Sequence, residues 1–250
     1  MQGQNQQQAY DRGITIFSPD GRLYQVEYAR EAVKRGSASI GVRAEDGVVL
    51  LVDKRIRSSL MEETSVEKIH KADDHIGIAS AGHVADARQL IDFARRDAQV
   101  NRLRYDEPIG VETLTKDITD HIQQYTQVGG ARPFGVALLI GGVDEDGSPR
   151  LFETDPSGTP NEWKALAIGS GRENIQEYLE ENYATDLPLD EAVDLALRAL
   201  AESHEEGLTA SGIGVATVDA ESRRFVELTN DEIDQYLDAA DLRASEEDEE

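Results

Sequence analysis

Apolar residues in this chain alternate between a period of two and a period near three and a half, and the order of the two patterns restricts the fold more than any other feature. Residues 37–43 and 47–53 read as two strands about the turn Ala44-Glu45-Asp46-Gly47, and 75–81 reads as another short apolar strand. Two helices follow: 84–104 carries Ala87, Leu90, Ile91, Ala94 and Ala98 on one side, and 111–127 carries Leu114, Ile118 and Ile122 likewise. Strand character returns at 134–143, 150–153 and 164–168. A second helix pair covers 173–182 and 189–204, where Ala192, Val193, Leu195, Ala196 and Leu200 form the apolar face. Residues 212–218 and 225–228 close with a hairpin, and a last helix over 231–239 is started by Asn230. That order predicts two antiparallel sheets with helix pairs outside them, a four-layer αββα sandwich of the α+β class. Neither half has a complete sheet and no Pro/Gly/Ser linker divides them, so 13–242 is expected to be one domain. The Gln-rich start has almost nothing to bury and makes 1–12 a mobile tail; 243–250 is a disordered acidic tail.

Charge excludes several partners. Fifty Asp and Glu stand against twenty-five Lys and Arg, a net charge of −25, and only six of the cations are Lys. A surface this acidic repels nucleic-acid phosphate and anionic lipid, so neither nucleic acid nor membrane is expected as a partner. Few lysines and many carboxylates fit a salt-rich cytoplasm, where screening over roughly 3 Å at about 1 M salt removes most self-repulsion. With no cysteine, disulfides, thiolate metal sites and Cys nucleophiles are excluded. The opening MQGQNQQQA has neither a basic region nor an apolar run, and no apolar stretch approaches the roughly 20 residues a membrane span needs. A soluble, cytoplasmic chain is the expectation. The five histidines show no HExxH or similar spacing, so no metal or cofactor is expected. Gly169-Ser170-Gly171 lacks the third glycine of a dinucleotide fingerprint and reads as a strand-to-helix turn.

The segment 10–33 is unlike the rest. Ser18-Pro19-Asp20-Gly21 is a turn cluster, and from Arg22 the residues Leu23, Val26, Ala29, Ala32 and Val33 recur at spacings of three and four, giving a helix with one sticky stripe over 22–33. This tail, turn and helix resemble the opening of the α-type subunits of the 20S proteasome. The resemblance continues through SVEKIHK around Lys68, SAGHVADAR from Ser80, QQYTQVGGARPFGVALLIGG from Gln123, RLFETDPSGT from Arg150 and KALAIGSG from Lys164. It implies the fold of the N-terminal-nucleophile hydrolases with an extra N-terminal helix.

β-type members of that family cleave peptides with an N-terminal Thr whose free amine activates its own hydroxyl. Here the residue at the start of the first strand is Ser37, and its peptide bond to Gly36 offers no amine. Asp53 and Lys68 stand near where a β-type subunit keeps its acidic and lysine partners, reused or structural without a nucleophile. The resemblance therefore implies a non-catalytic subunit of a complex whose β subunits carry the threonine protease. The competing reading, a self-processing hydrolase, requires cleavage at Gly36 and a new amine on Ser37.

By the same resemblance the chain would build a heptameric α ring, homo- or hetero-oligomeric, stacked on β subunits and admitting unfolded protein. Tyr10, Asp11, Pro19 and Tyr28 match the family's gating cluster, with Arg12 closing the tail that would converge on the pore. A Tyr hydroxyl and a carboxylate can exchange hydrogen bonds between neighbouring tails while a Pro-fixed turn transmits displacement. Lys68 matches the lysine that pairs with the C-terminal carboxylate of a proteasome-activating AAA ATPase, a task suited to a compact cation. Its bland alternative is a salt bridge with Glu67 or Asp53. Gly82 is expected to flank that pocket and leave room for a docking backbone. His83 stands where relatives can carry an apolar residue.

Overall fold

A computed structural model describes residues 17–244 apart from 20, 57, 59, 128–130, 205 and 206. After helix α1 (Tyr24–Arg35) come strands β1 (Ser39–Arg43) and β2 (Gly47–Asp53), then β3 (Ile69–Asp73) and β4 (Ile76–Gly82). Helices α2 (Val84–Tyr105) and α3 (Val111–Gln127) lead to β5 (Val136–Val143), β6 (Pro149–Thr154), β7 (Pro160–Glu162) and β8 (Ala165–Ile168). Helices α4 (Arg172–Asn182) and α5 (Leu189–Ala201), strands β9 (Ile213–Asp219) and β10 (Arg224–Glu227) and helix α6 (Asn230–Ala240) complete the chain.

Two five-stranded sheets result, ordered β10-β9-β2-β1-β8 and β3-β4-β5-β6-β7, with every pairing antiparallel. The first sheet draws on both ends of the chain. Strand β2 shows why two sheets must stack, because its whole run Gly47–Asp53 is buried. Val49 and Leu51 meet the layer of α4, α5 and α6, while Val48, Leu50 and Val52 face Ala79, Leu139 and Leu151 of the other sheet. Beyond that sheet, Ile78, Leu138 and Ile140 pack under Leu90, Ile91, Leu114 and Ile118 of α2 and α3. The four αββα layers are those expected. Helix α1 lies outside them against β4 and β5, burying Val26, Ala29 and Val33.

Several boundaries differ from the sequence reading. Strand β1 begins at Ser39, not 37, because Ser37 and Ala38 direct groups into a side-chain cage described below. Strand β3 carries no clear period in the sequence, since a register shift between Lys71 and Asp73 breaks its alternation. Strand β7 is three residues long and opens on Pro160, too short to show a period. Helix α1 begins at Tyr24, later than the expected Arg22. Helix α5 stops at Ala201 because Ser203 and His204 turn back on the carbonyls of Leu200 and Ala201. The start signal of α6 is Thr229 rather than Asn230: its hydroxyl accepts from Glu232 N–H at 3.3 Å while the Glu232 carboxylate accepts from Thr229 N–H at 2.8 Å, a capping box.

At the far end, Arg243 bridges to Leu208 and pairs with Asp234 and Asp238, each at 2.7 Å, so the expected acidic tail starts on a tethered residue; 245–250 lie outside the described residues. Among the described residues no helix is long and apolar enough to cross a membrane, and no group of three or more His, Asp or Glu could hold a metal.

Candidate functional site

The site forms where α1 runs into β1. Gly36 leaves the helix in extended conformation, and three backbones meet there. A Cβ on Gly36 would lie 2.3 Å from Gly82 N, and Gly82, at φ +119°, would drive a Cβ to 2.3 Å from Gly135 O. Only glycine fits either position. The missing side chain of Gly82 is thus required by the close approach of β4 to the start of β5, a reason distinct from the expected room for a docking backbone. Asp86 locks the same corner by accepting from Arg132 twice at 2.6 Å and from Gly135 N–H at 2.8 Å. Burial alone would raise this carboxyl, but Arg132 and the Gly135 amide bring it below the usual range.

Beside that corner opens a cleft of about 520 Å³ whose walls include Ser37, Lys68, Gly82, His83, Val84 and Met61. Lys68 stands at its back, just before β3. Its Nζ donates to Ser37 Oγ at 2.7 Å, Asp53 O at 2.9 Å, Ser37 O at 3.0 Å and Ala38 O at 3.1 Å. Four oxygens surround three N–H groups, and none is a carboxylate oxygen. The bland alternative of a salt bridge is thus not made. The Asp53 carboxylate instead accepts from Arg55 N–H at 2.9 Å, and Glu67 lies 4.0 Å from His70. Burial pushes the Lys68 ammonium down to about 8, with Asp53 opposing and Arg55 assisting the shift. Ser37 Oγ completes the cage by donating to Asp53 O at 2.7 Å.

Apolar surface adjoins the caged charge. Val84 is 62% exposed and Met61 43%. His83 lines the same wall, its Nδ1 3.7 Å from Asp86. Sequence reasoning named Lys68, Gly82 and His83 but missed Val84 and Met61. No sequence signal marked Val84: it keeps the i, i+3, i+7 spacing of the apolar stripe with Ala87 and Ile91, yet as the first residue of α2 it is left exposed.

On the opposite flank of α1 lies a second cleft of about 400 Å³ that includes Arg30, Lys34, Glu153, Trp163 and Arg172. Arg30 spans it to Asp155 at 2.7 Å and also reaches Glu27 at 3.2 Å. Glu153 is raised by burial, opposed by Arg172 3.9 Å away and a hydrogen bond from Trp163. Above α1, Pro19 is exposed in a turn closed by Gly21 N–H on Ser18 O at 2.8 Å. Tyr28 is 52% exposed, on the helix side away from Val26, Ala29 and Val33. Tyr10, Asp11 and Arg12 lie outside the described residues, so of the gating residues only Pro19 and Tyr28 are located.

Two stacked antiparallel sheets between helix layers, with a serine, lysine and aspartate gathered at the start of β1, define the N-terminal-nucleophile hydrolase type of fold. Family models agree on the branch: a proteasome subunit model matches residues 33–218, and an N-terminal signature of A-type proteasome subunits matches 10–32. The chain is 76% identical over 249 residues to the proteasome alpha 1 subunit of Haloferax volcanii, covering 100% of this chain and 98% of that relative. It is 76% identical over 242 residues to the proteasome alpha 1 subunit of Haloarcula marismortui, covering 97% and 93%. A third relative, the proteasome alpha subunit of Haloquadratum walsbyi, is 74% identical over 247 residues, covering 99% and 98%. The chain belongs to the proteasome subunit family, in its α-type branch, and these relatives are from halophilic archaea.

Proposed function

We propose that this chain is a non-catalytic subunit of the 20S core. It forms heptameric end rings, gates entry of unfolded protein to the β chambers and docks the C-termini of activating AAA ATPases in the cytoplasm. The observation that carries the reading is the Lys68 cage: a positive charge with no carboxylate bonded to it among the described residues, set in an open cleft with an apolar rim, in a molecule whose net charge is −25. A chain terminus offers a carboxylate to the ammonium and side chains to Val84 and Met61. Because Lys68 is largely desolvated, this pairing survives molar salt better than an exposed one.

Absence of catalysis follows from bonding at Ser37. While its nitrogen is bound to Gly36, the hydroxyl has no terminal amine beside it, and Lys68 is occupied by four acceptors. The Gly36 carbonyl is itself held by Ser170 N–H at 2.8 Å. The Ser37–Lys68 contact is also what a self-processing hydrolase would display, and intact mass separates the two. The mature particle should yield an α chain continuous across 36–37, whereas a chain starting at Ser37 would reverse the assignment. The gate is tested by deleting residues 2–12, which should raise basal hydrolysis of small peptides; no rise would mean that the tails do not occlude the pore.

A further inference from the structure

Lys68 has one acceptor more than its ammonium has hydrogens, and the acceptor that can be given up is a side chain. An ammonium has three hydrogens, yet Nζ has four oxygens within 3.1 Å. Three are backbone carbonyls, which a buried site cannot leave without donors except at a cost. The fourth, Ser37 Oγ, is the only rotatable one. Its own hydrogen goes to Asp53 O, which already receives Lys68 Nζ at 2.9 Å. The hydroxyl can therefore turn away and no carbonyl loses its last donor. In the same movement the N–H now spent on Ser37 Oγ is released; Nζ and Oγ stand 2.7 Å apart in the bonded arrangement, and both residues line the cleft.

We propose that Ser37 is a second carboxylate-binding group of this cleft, its hydroxyl and the Lys68 ammonium together clasping the C-terminal carboxylate of a docking chain. The inference rests on the reading of the cleft as a docking site for a chain terminus. Free of ligand, the two groups bond to each other and stay satisfied; with a carboxylate present, each redirects one donor outward. The three carbonyls keep Lys68 aimed throughout, which spares the entropy of ordering a long side chain at the moment of binding. A two-point grip also distinguishes a carboxylate from the carbonyl of an ordinary peptide bond, which offers one acceptor oxygen.

The test uses the assembled particle at molar salt and a short activator-like peptide with a free C-terminal carboxylate, compared with the same peptide amidated. Ser37→Ala should raise the half-maximal concentration of the acid peptide about tenfold, the worth of one charge-assisted hydrogen bond. Ser37→Thr, which keeps the hydroxyl, should stay within about twofold of the parent. Ser37→Cys, near in size but a weak donor, should shift the same way as Ser37→Ala by about threefold, and serves if the alanine variant does not assemble. None of the three changes should alter the weaker response to the amidated peptide. An unchanged acid response in Ser37→Ala, or an equal shift for both peptides, would overturn the role of Ser37. Failure of the underlying docking reading is distinguishable, because then Lys68→Ala would also leave stimulation unchanged.

Discussion

Lys68, largely withdrawn from water, and Arg150, half-buried, lie in the same acidic protein, yet their surroundings are opposite. Arg150 meets Glu162 at 2.6 Å, Glu112 at 3.1 Å and Asp144 at 3.2 Å, with its guanidinium 5.1 Å above the Phe152 ring. Those partners come from α3, the β5–β6 turn and β7, so the arginine ties a helix to a sheet edge and its charge is consumed there. Among the described residues Lys68 bonds only to uncharged oxygens, in a chain with fifty acidic residues. Holding a buried cation with no carboxylate bonded to it costs free energy, visible in a lysine that burial depresses although the Asp53 charge opposes the shift. On the proposed reading, the contrast teaches that position in the fold decides whether a cation is structural or remains available to a ligand.

Removing each cation should therefore have opposite consequences. Lys68→Ala should all but abolish peptide-stimulated gate opening at molar salt, measured as hydrolysis of a small fluorogenic peptide by the assembled particle; unchanged stimulation would remove Lys68 from the mechanism. Arg150→Ala should cost about 2 kcal/mol in denaturant unfolding, since three carboxylates lose a shared donor, and leave stimulation by peptide as it was. If Arg150→Ala weakened docking instead, the division between the two sites would collapse.

The pH dependence sharpens the same contrast. Lys68 is depressed from the ordinary lysine range to about 8, so a docking carboxylate should lose its partner as pH rises through that value, with affinity falling about tenfold by roughly pH 9 to 9.5. Stability should move the other way. Between about 8 and the unfolded lysine value the unfolded state binds more protons than the native, so the unfavourable contribution of Lys68 diminishes with rising pH. Peptide titrations at about pH 7 and pH 9 check the first trend, and Lys68→Met should flatten it. The smallest effect belongs to Lys34, which pairs at 2.7 Å with Glu31 on the exposed side of α1. Lys34→Ala should match the parent in both stability and docking at molar salt, where such pairs are screened.

How far the sequence disclosed these sites depended on what kind of group carries the information. Strand β2 was legible because doubly buried strands read as unbroken apolar runs, and α3 was legible to the residue because Leu114, Ile118 and Ile122 mark a single stripe. Strand β3 was not, since its bulge disrupts the only local signal. Lys68, Gly82 and Ser37 could be singled out by motif, but the cage could not. Its acceptors are mostly backbone carbonyls 31, 30 and 15 positions from Lys68, and side-chain patterns do not record carbonyl directions. Gly82 illustrates the reverse case: a glycine singled out for a ligand is required by the neighbouring backbone.

The central claim is that Lys68 is left without a bonded carboxylate among the described residues so that an incoming chain terminus can supply one. A structure of the assembled particle bound to a C-terminal activator peptide tests this most directly. The peptide carboxylate is predicted within about 3 Å of Lys68 Nζ, with the three backbone carbonyls still in place. A peptide seated elsewhere on the ring, with the Lys68 cage unchanged and its cleft empty, would contradict the account.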